Sequence, residues 1–234
     1  MTTLKKKIKV TTKLDVLTGL HIGGSKDNVE IGGIDTPVIK IATIKNQPYI
    51  PGSSLKGKMR CLLEQIAGTP DVGGIKEGRE WIVSEKQKLI NNFFGFSETY
   101  QPSKLIVRDA YLTDDSVNKL EICDNLDMPY TEAKMENVIN RVKGTAESPR
   151  TIERVPAGVS FNVEFIINVW DNDNADDLLA LLVKGIKALE NDYLGGSGSR
   201  GYGQIEFVFP LKAQDFTFEN DKVTGGKIYE IKAE

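Results

Sequence analysis

The chain has 234 residues, 40% hydrophobic and 27% charged, with 30 Lys plus Arg against 33 Asp plus Glu and a formal net charge of −3. That is the composition of a folded soluble chain, long enough for one elaborated domain or two small ones with a real core. The longest apolar run, residues 178–183, is too short to cross a bilayer. Cys61 and Cys123 alone cannot make a disulfide framework or a cysteine-rich zinc site, and the acidic balance excludes coating nucleic acid by bulk charge. Three lysines at 5–7 with no apolar stretch behind them give no signal peptide. A cytoplasmic setting without a membrane is therefore expected, and any nucleic-acid function must come from local patches.

Residues 8–17 alternate in part, with Ile8, Val10, Leu14 and Val16 on one side, and read as a strand. Residues 38–50 also read as extended and close on Pro51-Gly52. Ser53 and Ser54 then offer a helix N-cap, and Leu55, Met59, Leu62 and Ile66 share one helical face that Gly68 ends. Residues 105–112 read as a strand, and residues 159–169 as a stronger one. There Phe161, Val163, Phe165, Ile167 and Val169 point one way and Asn162, Glu164 and Asn168 the other. Residues 175–191 are helical, with the apolar stripe Leu178, Leu182, Ile186 and Leu189. Residues 204–209 form a short strand that stops at Pro210.

The long elements thus run strand, helix, strand, strand, helix, strand. That order predicts an α+β fold, a ferredoxin-like βαββαβ core shared with the RNA-recognition motif. One domain spans 1–234, with an extended arm inserted at about 19–52 and a second insertion at about 113–158.

The segment 51–60 combines a helix start with Ser53, Ser54, Gly57, Lys56, Lys58 and Arg60, and lies in a stretch with no acid between 36 and 63. A helix N-terminus presents unpaired N–H groups and the positive dipole end, which suits a phosphate. On the residues alone this is equally a capped amphipathic helix with a cationic outer face. It is not a P-loop, because that spacing is missing. Residues 195–203 hold five glycines together with Ser197, Ser199 and Arg200. Such a loop can wrap its N–H groups around an anion, or can simply be a flexible connector. His21, the single histidine, lies in a Gly-rich segment and can position a phosphate or a 2′-hydroxyl. Asp35 follows two glycines and precedes Thr36-Pro37. It reads as a turn former, or as a carboxylate ligand of Mg²⁺ or another divalent cation. The segment around Glu132, Lys134, Glu136, Arg141, Arg150 and Arg154 is mixed in charge and, on the residues alone, an exposed salt-bridged surface.

Together these stretches resemble one family. TGLHIGGS (18–25), IGGIDTPVIK (31–40), PYIPGSSLKGKMR (48–60), RDAYL (108–112), SPRTIERV (148–155) and DYLGGSGSRGYG (192–203) occur in the order of the repeated backbone subunit of type III-A CRISPR (Csm) effector complexes, of the RAMP superfamily. The resemblance implies several copies stacked in a filament along a CRISPR RNA, alongside other Csm effector subunits. It implies that the crRNA backbone is held by His21, Ser53, Ser54, Lys56, Gly57, Lys58, Arg60, Gly196, Ser197, Gly198, Ser199 and Arg200. The second insertion becomes a thumb whose Arg141, Arg150 and Arg154 reach the duplex with target RNA. Asp35 becomes the catalytic residue and metal ligand of Mg²⁺-dependent target cleavage, while His21, Asp109, Glu132, Glu136 and Glu153 fall at further acidic or polar positions considered in such subunits. Two stretches depart from the family: Ile41-Ala42-Thr43 replaces an Asp-rich turn, and residues 69–88 match nothing in it. The alternative within the same type of complex is a crRNA-binding scaffold that does not cut. A guide-processing nuclease using His21 is a third reading.

Overall fold

The computed structural model describes residues 3–24, 34–44, 46–68, 75–77, 80–82, 84–97, 100–219 and 222–233. In chain order the elements are β1 (Leu4–Val16), β2 (Tyr49–Ile50), α1 (Gly52–Ala67), the short hairpin β3 (Ile75–Glu77) and β4 (Glu80–Ile82), and α2 (Glu85–Phe94). Then follow β5 (Leu105–Val107), β6 (Ala110–Leu112), α3 (Asp114–Glu121) and the hairpin β7 (Glu132–Ile139) and β8 (Ala146–Arg154). The chain ends with β9 (Ser160–Trp170), α4 (Ala175–Glu190), β10 (Ile205–Phe207) and the hairpin β11 (Leu211–Glu219) and β12 (Lys222–Ile231).

The alternation of β1 sets the sheet. Ile8, Val10, Leu14 and Val16 are buried under the helices, while Lys7, Lys9 and Lys13 take the opposite face. β9 runs antiparallel to β1 from Leu4–Trp170 to Asp15–Ser160, and its Phe161, Val163, Phe165, Ile167 and Val169 are all buried. β10 pairs with the far end of β1, and β5 and β6 pair with β9, all antiparallel. That order, β10–β1–β9–β5/β6, is the ferredoxin-like sheet expected from the element order. α1 and α4 pack side by side on it, where a Cβ on Gly185 would sit 3.4 Å from Leu63 Cδ1, so the helix backbone approaches its neighbour closely. Each large buried side chain here contributes on the order of 1.5–3 kcal/mol. No helix among the described residues is long and apolar enough to cross a membrane.

Several elements differ from the sequence expectation. Of residues 38–50 only Tyr49–Ile50 forms a strand, because the arm pairs instead through isolated bridges, Gly23 with Val38 and Lys40 with Pro48. The strand at 105–112 breaks into β5 and β6, where Asp109 turns its carboxylate to accept from Gly52 N at 2.8 Å. That contact also corrects the capping of α1. Pro51 is the N-cap and makes no side-chain cap bond, Ser53 and Ser54 lie in the first turn, and the carboxylate arrives from the break between β5 and β6. Gly52 admits no side chain, since a Cβ would stand 2.2 Å from Val107 O. On α1 the fourth core position is Leu63, with Ile66 exposed in the last turn before the Gly68 cap. The β11–β12 hairpin widens the sheet beyond the six expected elements.

Candidate nucleic-acid interface

The chain leaves β1 at Val16 and lays the arm on β8. Leu20 exchanges main-chain bonds with Val155 (2.9 and 2.8 Å), Ile39 N donates to Ile22 O, and Gly24 N to Pro37 O. Asp35 N donates to Thr151 O (3.0 Å) and Thr36 O accepts from Glu153 N (3.1 Å), so this stretch runs parallel to β8. Asp35 is exposed; its Oδ2 accepts from Thr151 N at 2.6 Å, and its Oδ1 makes no hydrogen bond among the described residues. Ser25, Gly32, Gly33 and Lys45 lie outside the described residues.

Glu153 is the clamp beneath this arm. Its side chain is 1% exposed, and its carboxylate accepts from Thr131 Oγ1 (2.7 Å), Val38 N (2.9 Å) and Lys40 Nζ (2.7 Å). A buried carboxylate with three donors tolerates its charge, and removing any one of them leaves part of it unpaired. The Glu153 carbonyl accepts from His21 Nδ1 at 2.7 Å, which fixes the proton on Nδ1 and leaves Nε2 as the free ring nitrogen.

The glycine loop rests on the same arm. Gly196 N donates to His21 O (2.8 Å) and Gly203 N to Gly19 O (3.1 Å). At Gly195, φ is +80° and a Cβ would meet His21 O at 2.2 Å, so glycine is demanded twice over. A 3-10 turn, Gly198–Arg200, carries Ser199 and Arg200 outward. Gly198 packs so closely on Tyr193 that any side chain would overlap its ring, and Lys58 Nζ lies 3.7 Å over that ring while pairing with Asp192 at 2.6 Å. α1 and the glycine loop thereby adjoin through Tyr193.

Glu136 ties the loop to the β7–β8 hairpin. Oε1 accepts from Tyr202 OH (2.8 Å), and Oε2 from Arg200 (2.8 Å) and Arg150 (3.3 Å). The Tyr202 hydrogen bond, ahead of Arg150, Arg200 and Lys134, holds this carboxyl below the usual Glu range against the opposing effect of burial. Burial first, then Glu136, pushes the Tyr202 hydroxyl up to about 12. Arg154 and Lys134 lie over the Tyr202 ring, and Arg154 pairs with Glu132 at 2.5 Å. Arg141 is exposed in the turn at the hairpin tip.

The remaining α1 residues divide. Ser53 and Gly57 face open solvent, and nothing lies within 4 Å of a Cβ on Gly57. Lys56 turns inward to Ser103 Oγ (2.7 Å), where burial and then the Arg60 charge push its pKa below the usual Lys range. Arg60 is held by Glu64, Gly95 O and Asn91. By contrast, the structure gathers His21, Arg150, Ser197, Ser199 and Arg200 around one cleft of about 300 Å³, with Thr36 in its wall beside Asp35. Thr36, Tyr193 and Tyr202 were invisible as individual site residues in the sequence, although all three stand inside the family-like motifs. Thr131 carries no sequence signal, because its partner Glu153 meets it only in the fold.

Among the described residues no group of three or more His, Cys, Asp and Glu is placed to hold a metal ion. Glu153 is occupied internally, while Asp109, on the far side of α1's start, gives one oxygen to Gly52 N, so beside the cleft the unbonded Asp35 oxygen is a single carboxylate donor among the described residues. That donor set suits a largely hydrated Mg²⁺ completed by phosphate oxygens, and does not suit an all-protein cage.

Residues 13–206 match the model of the RAMP superfamily. The chain belongs to that superfamily. It is 40% identical over 215 residues to a protein of Methanothermobacter thermautotrophicus named CRISPR system Cms endoribonuclease Csm3, covering 87% of this chain and 84% of that one. The likewise named protein of Streptococcus thermophilus is 41% identical over 211 residues, with 86% and 87% covered. These likenesses place the chain in the Csm3 family of RAMP proteins. A solved chain from a type III-B Cmr-beta complex bound to cognate target RNA superposes with a TM-score of 0.60 at 17% identity, over 98% of this chain. This RAMP chain spans 62% of that chain's length, and the likeness is one of fold.

Proposed function

We propose that the chain is the repeated backbone subunit of a CRISPR RNA-guided type III-A ribonucleoprotein that binds crRNA and cuts complementary target RNA at regular intervals. The observation that carries this is the position of Asp35. An exposed carboxylate stands on an arm that Asp35, Thr36 and Val38 bond to Thr151 and Glu153 of β8, beside a cleft with two arginines and two serines. Further copies in a filament, neighbouring Csm subunits and a cytoplasmic setting belong to the same reading.

In this reading the guide backbone runs over the exposed face of α1, at Ser53 and Gly57, and onto the glycine loop at Ser197, Ser199 and Arg200. The hairpin reaches across the guide–target duplex and frees one target nucleotide from pairing. An unpaired ribonucleotide can adopt the in-line geometry in which its 2′-oxygen attacks the adjacent phosphorus. The new 2′-O–P bond replaces the P–O5′ bond, giving a 2′,3′-cyclic phosphate and a 5′-hydroxyl, with the 2′ proton passing to solvent and the leaving oxygen protonated by it. Asp35 would hold a hydrated divalent cation, which when bound neutralises charge developing on the phosphate. The β8 amide of Thr151 fixes the Asp35 carboxylate in direction. The surrounding residues supply no strong base, so the rate rests on RNA geometry.

The test is cleavage of guide-complementary RNA by the assembled complex in Mg²⁺, wild type beside Asp35→Ala. Evenly spaced cuts that vanish in the variant, with target affinity kept, support the reading. Unchanged cuts make the chain a scaffold and move the nuclease to a partner; loss of assembly removes the catalytic role from Asp35.

A further inference from the structure

Arg154 ends β8 and, unlike the exposed Arg141 at the hairpin tip, is turned inward, with 19% of its side chain exposed. Its guanidinium fills a slot shaped for it. Nη2 pairs with Glu132 at 2.5 Å across the first rung of the hairpin, and Cζ lies 4.7 Å from the centre of the buried Tyr202 ring. A Cβ on Gly19 would stand 2.5 Å from Arg154 Nε and 2.6 Å from Cζ, so a side chain there would expel the guanidinium. Nε is buried and makes no hydrogen bond among the described residues, so the pair with Glu132 and close contact hold the group. Arg154 thus touches the root of the arm at Gly19, the root of the hairpin at Glu132 and the end of the glycine loop at Tyr202.

Past Glu136 the hairpin is exposed, at Val138, Ile139, Arg141 and Val142. The eight residues of β7, at about 3.3 Å each, put the tip about 26 Å from the root, so a tilt of about 5° at the root moves the tip by about 2 Å. The same strand carries the mount of the carboxylate, because Thr151 N, three residues before Arg154, holds Asp35. We propose that Arg154 is a positioning residue: it locks the hairpin against the glycine loop and so sets which target nucleotide is freed beside Asp35. The inference rests on the reading of the hairpin as the element that opens the guide–target duplex, and it assigns Arg154 to the hairpin's root instead of to the target RNA. Arginine suits this joint because one rigid, planar cation can lie on a ring, pass close to a glycine backbone and still pair with a carboxylate, which the narrow ammonium of lysine cannot do.

The test reads position, which a merely structural residue would not move. In complexes assembled in the Asp35→Ala background, chemical acylation of target 2′-hydroxyls marks the nucleotide that the hairpin frees, with no dependence on cleavage. One reactive nucleotide per interval is expected in the parent. Arg154→Met, which loses both the planar group and the charge, should spread that reactivity over neighbouring nucleotides while target affinity is kept. Arg154→Lys, which keeps a cation beside Glu132 and loses the planar group, should fall between the two. With Asp35 restored, single-turnover cleavage at saturating target should drop about 10- to 100-fold in Arg154→Met, as for a misplacement of about 1 Å, and its cuts should spread in the same way. An unchanged reactive nucleotide in both variants overturns the proposal. So does a loss of target affinity with a salt slope reduced by roughly one contact, which makes Arg154 an RNA contact. Failure of both variants to assemble also overturns it, by making Arg154 part of the fold alone. A parent complex without periodic reactivity refutes the reading of the hairpin, and this proposal with it, while the role of Asp35 is decided by its own cleavage experiment.

Discussion

On α1, Lys56, Lys58 and Arg60 are each engaged inside the chain, by Ser103, by Asp192 and Tyr193, and by Glu64, Gly95 and Asn91. Around the cleft, Arg150 and Arg200 share one carboxylate, and the hydroxyls of Thr36, Ser197 and Ser199 make no hydrogen bond among the described residues. In the sequence the first segment is the denser in charge, yet its cations hold α1 to α2 and to the glycine loop. A basic residue recognises a phosphate with the donors that the fold leaves free, and counting charges along the chain does not reveal those. In the proposed reading, the part of α1 left to meet RNA is its exposed, uncharged part, Ser53 and Gly57, with the positive field of the lysines behind it.

The largest effect that separates the two regions is Arg60→Ala. It removes three hydrogen bonds from a half-buried guanidinium and takes the paired cation from Glu64, which Gln87 still contacts, and should cost about 1.5–3 kcal/mol of stability. Thermal unfolding measures this directly. If Arg60→Ala melts like the wild type but releases the guide, the division drawn between the regions is reversed. Arg200→Ala is the counterpart. Arg200 is half exposed and its side chain is bonded, among the described residues, to Glu136 alone, so its loss should leave the melting temperature nearly unchanged. Target or guide affinity should instead fall about tenfold, with the salt slope reduced by roughly one contact. Titrating affinity against salt in both variants decides the matter.

Much of this arrangement could be read from residue order. The alternation in β1 and β9 and the stripe on α4 gave the sheet and its helices, because a half-buried strand and an amphipathic helix write their burial into local spacing. Asp35, His21 and the glycine loop were also legible, through motifs. What escaped was everything fixed by long-range partners. Asp109 caps α1 from 57 residues away, Glu153 clamps Val38 from 115 away, and Glu136 meets Tyr202 from 66 away. Their sequence neighbourhoods look like surface, and only the fold makes them internal. The β11–β12 hairpin escaped for a different reason: it pairs at the sheet margin, with half its residues exposed, and carries little apolar contrast.

A smaller effect probes the tie between the regions. Glu136 titrates below the usual Glu range in the fold, so its stabilisation is complete at neutral pH and is lost as pH falls from about 4.3, the ordinary value, through the folded one. The Tyr202 hydroxyl is raised, so the same hydrogen bond is lost at the alkaline end, as pH climbs from 10.0 toward about 12. Glu136→Gln should therefore flatten the acid limb of the stability curve and weaken the alkaline one. Chemical denaturation at pH 3, 7 and 11 reads both limbs, and a variant curve parallel to the wild type at each end would break the assignment.

The smallest effect is the most discriminating, because it should move stability and binding in opposite directions. Gly57 lies in the exposed first half of α1 with nothing within 4 Å of a prospective Cβ. Gly57→Ala therefore introduces no clash and should stabilise the protein by about 0.5–1 kcal/mol, through helix propensity and a less free unfolded chain. A phosphate backbone lying on that face, however, would meet the added methyl group. The raised melting temperature should come with weaker guide retention in the assembled complex, a trade that no change in folding explains. If guide retention holds while stability rises, the guide does not run over Gly57. The α1 lysines are then purely a structural device, and the RNA path is confined to the cleft and the glycine loop.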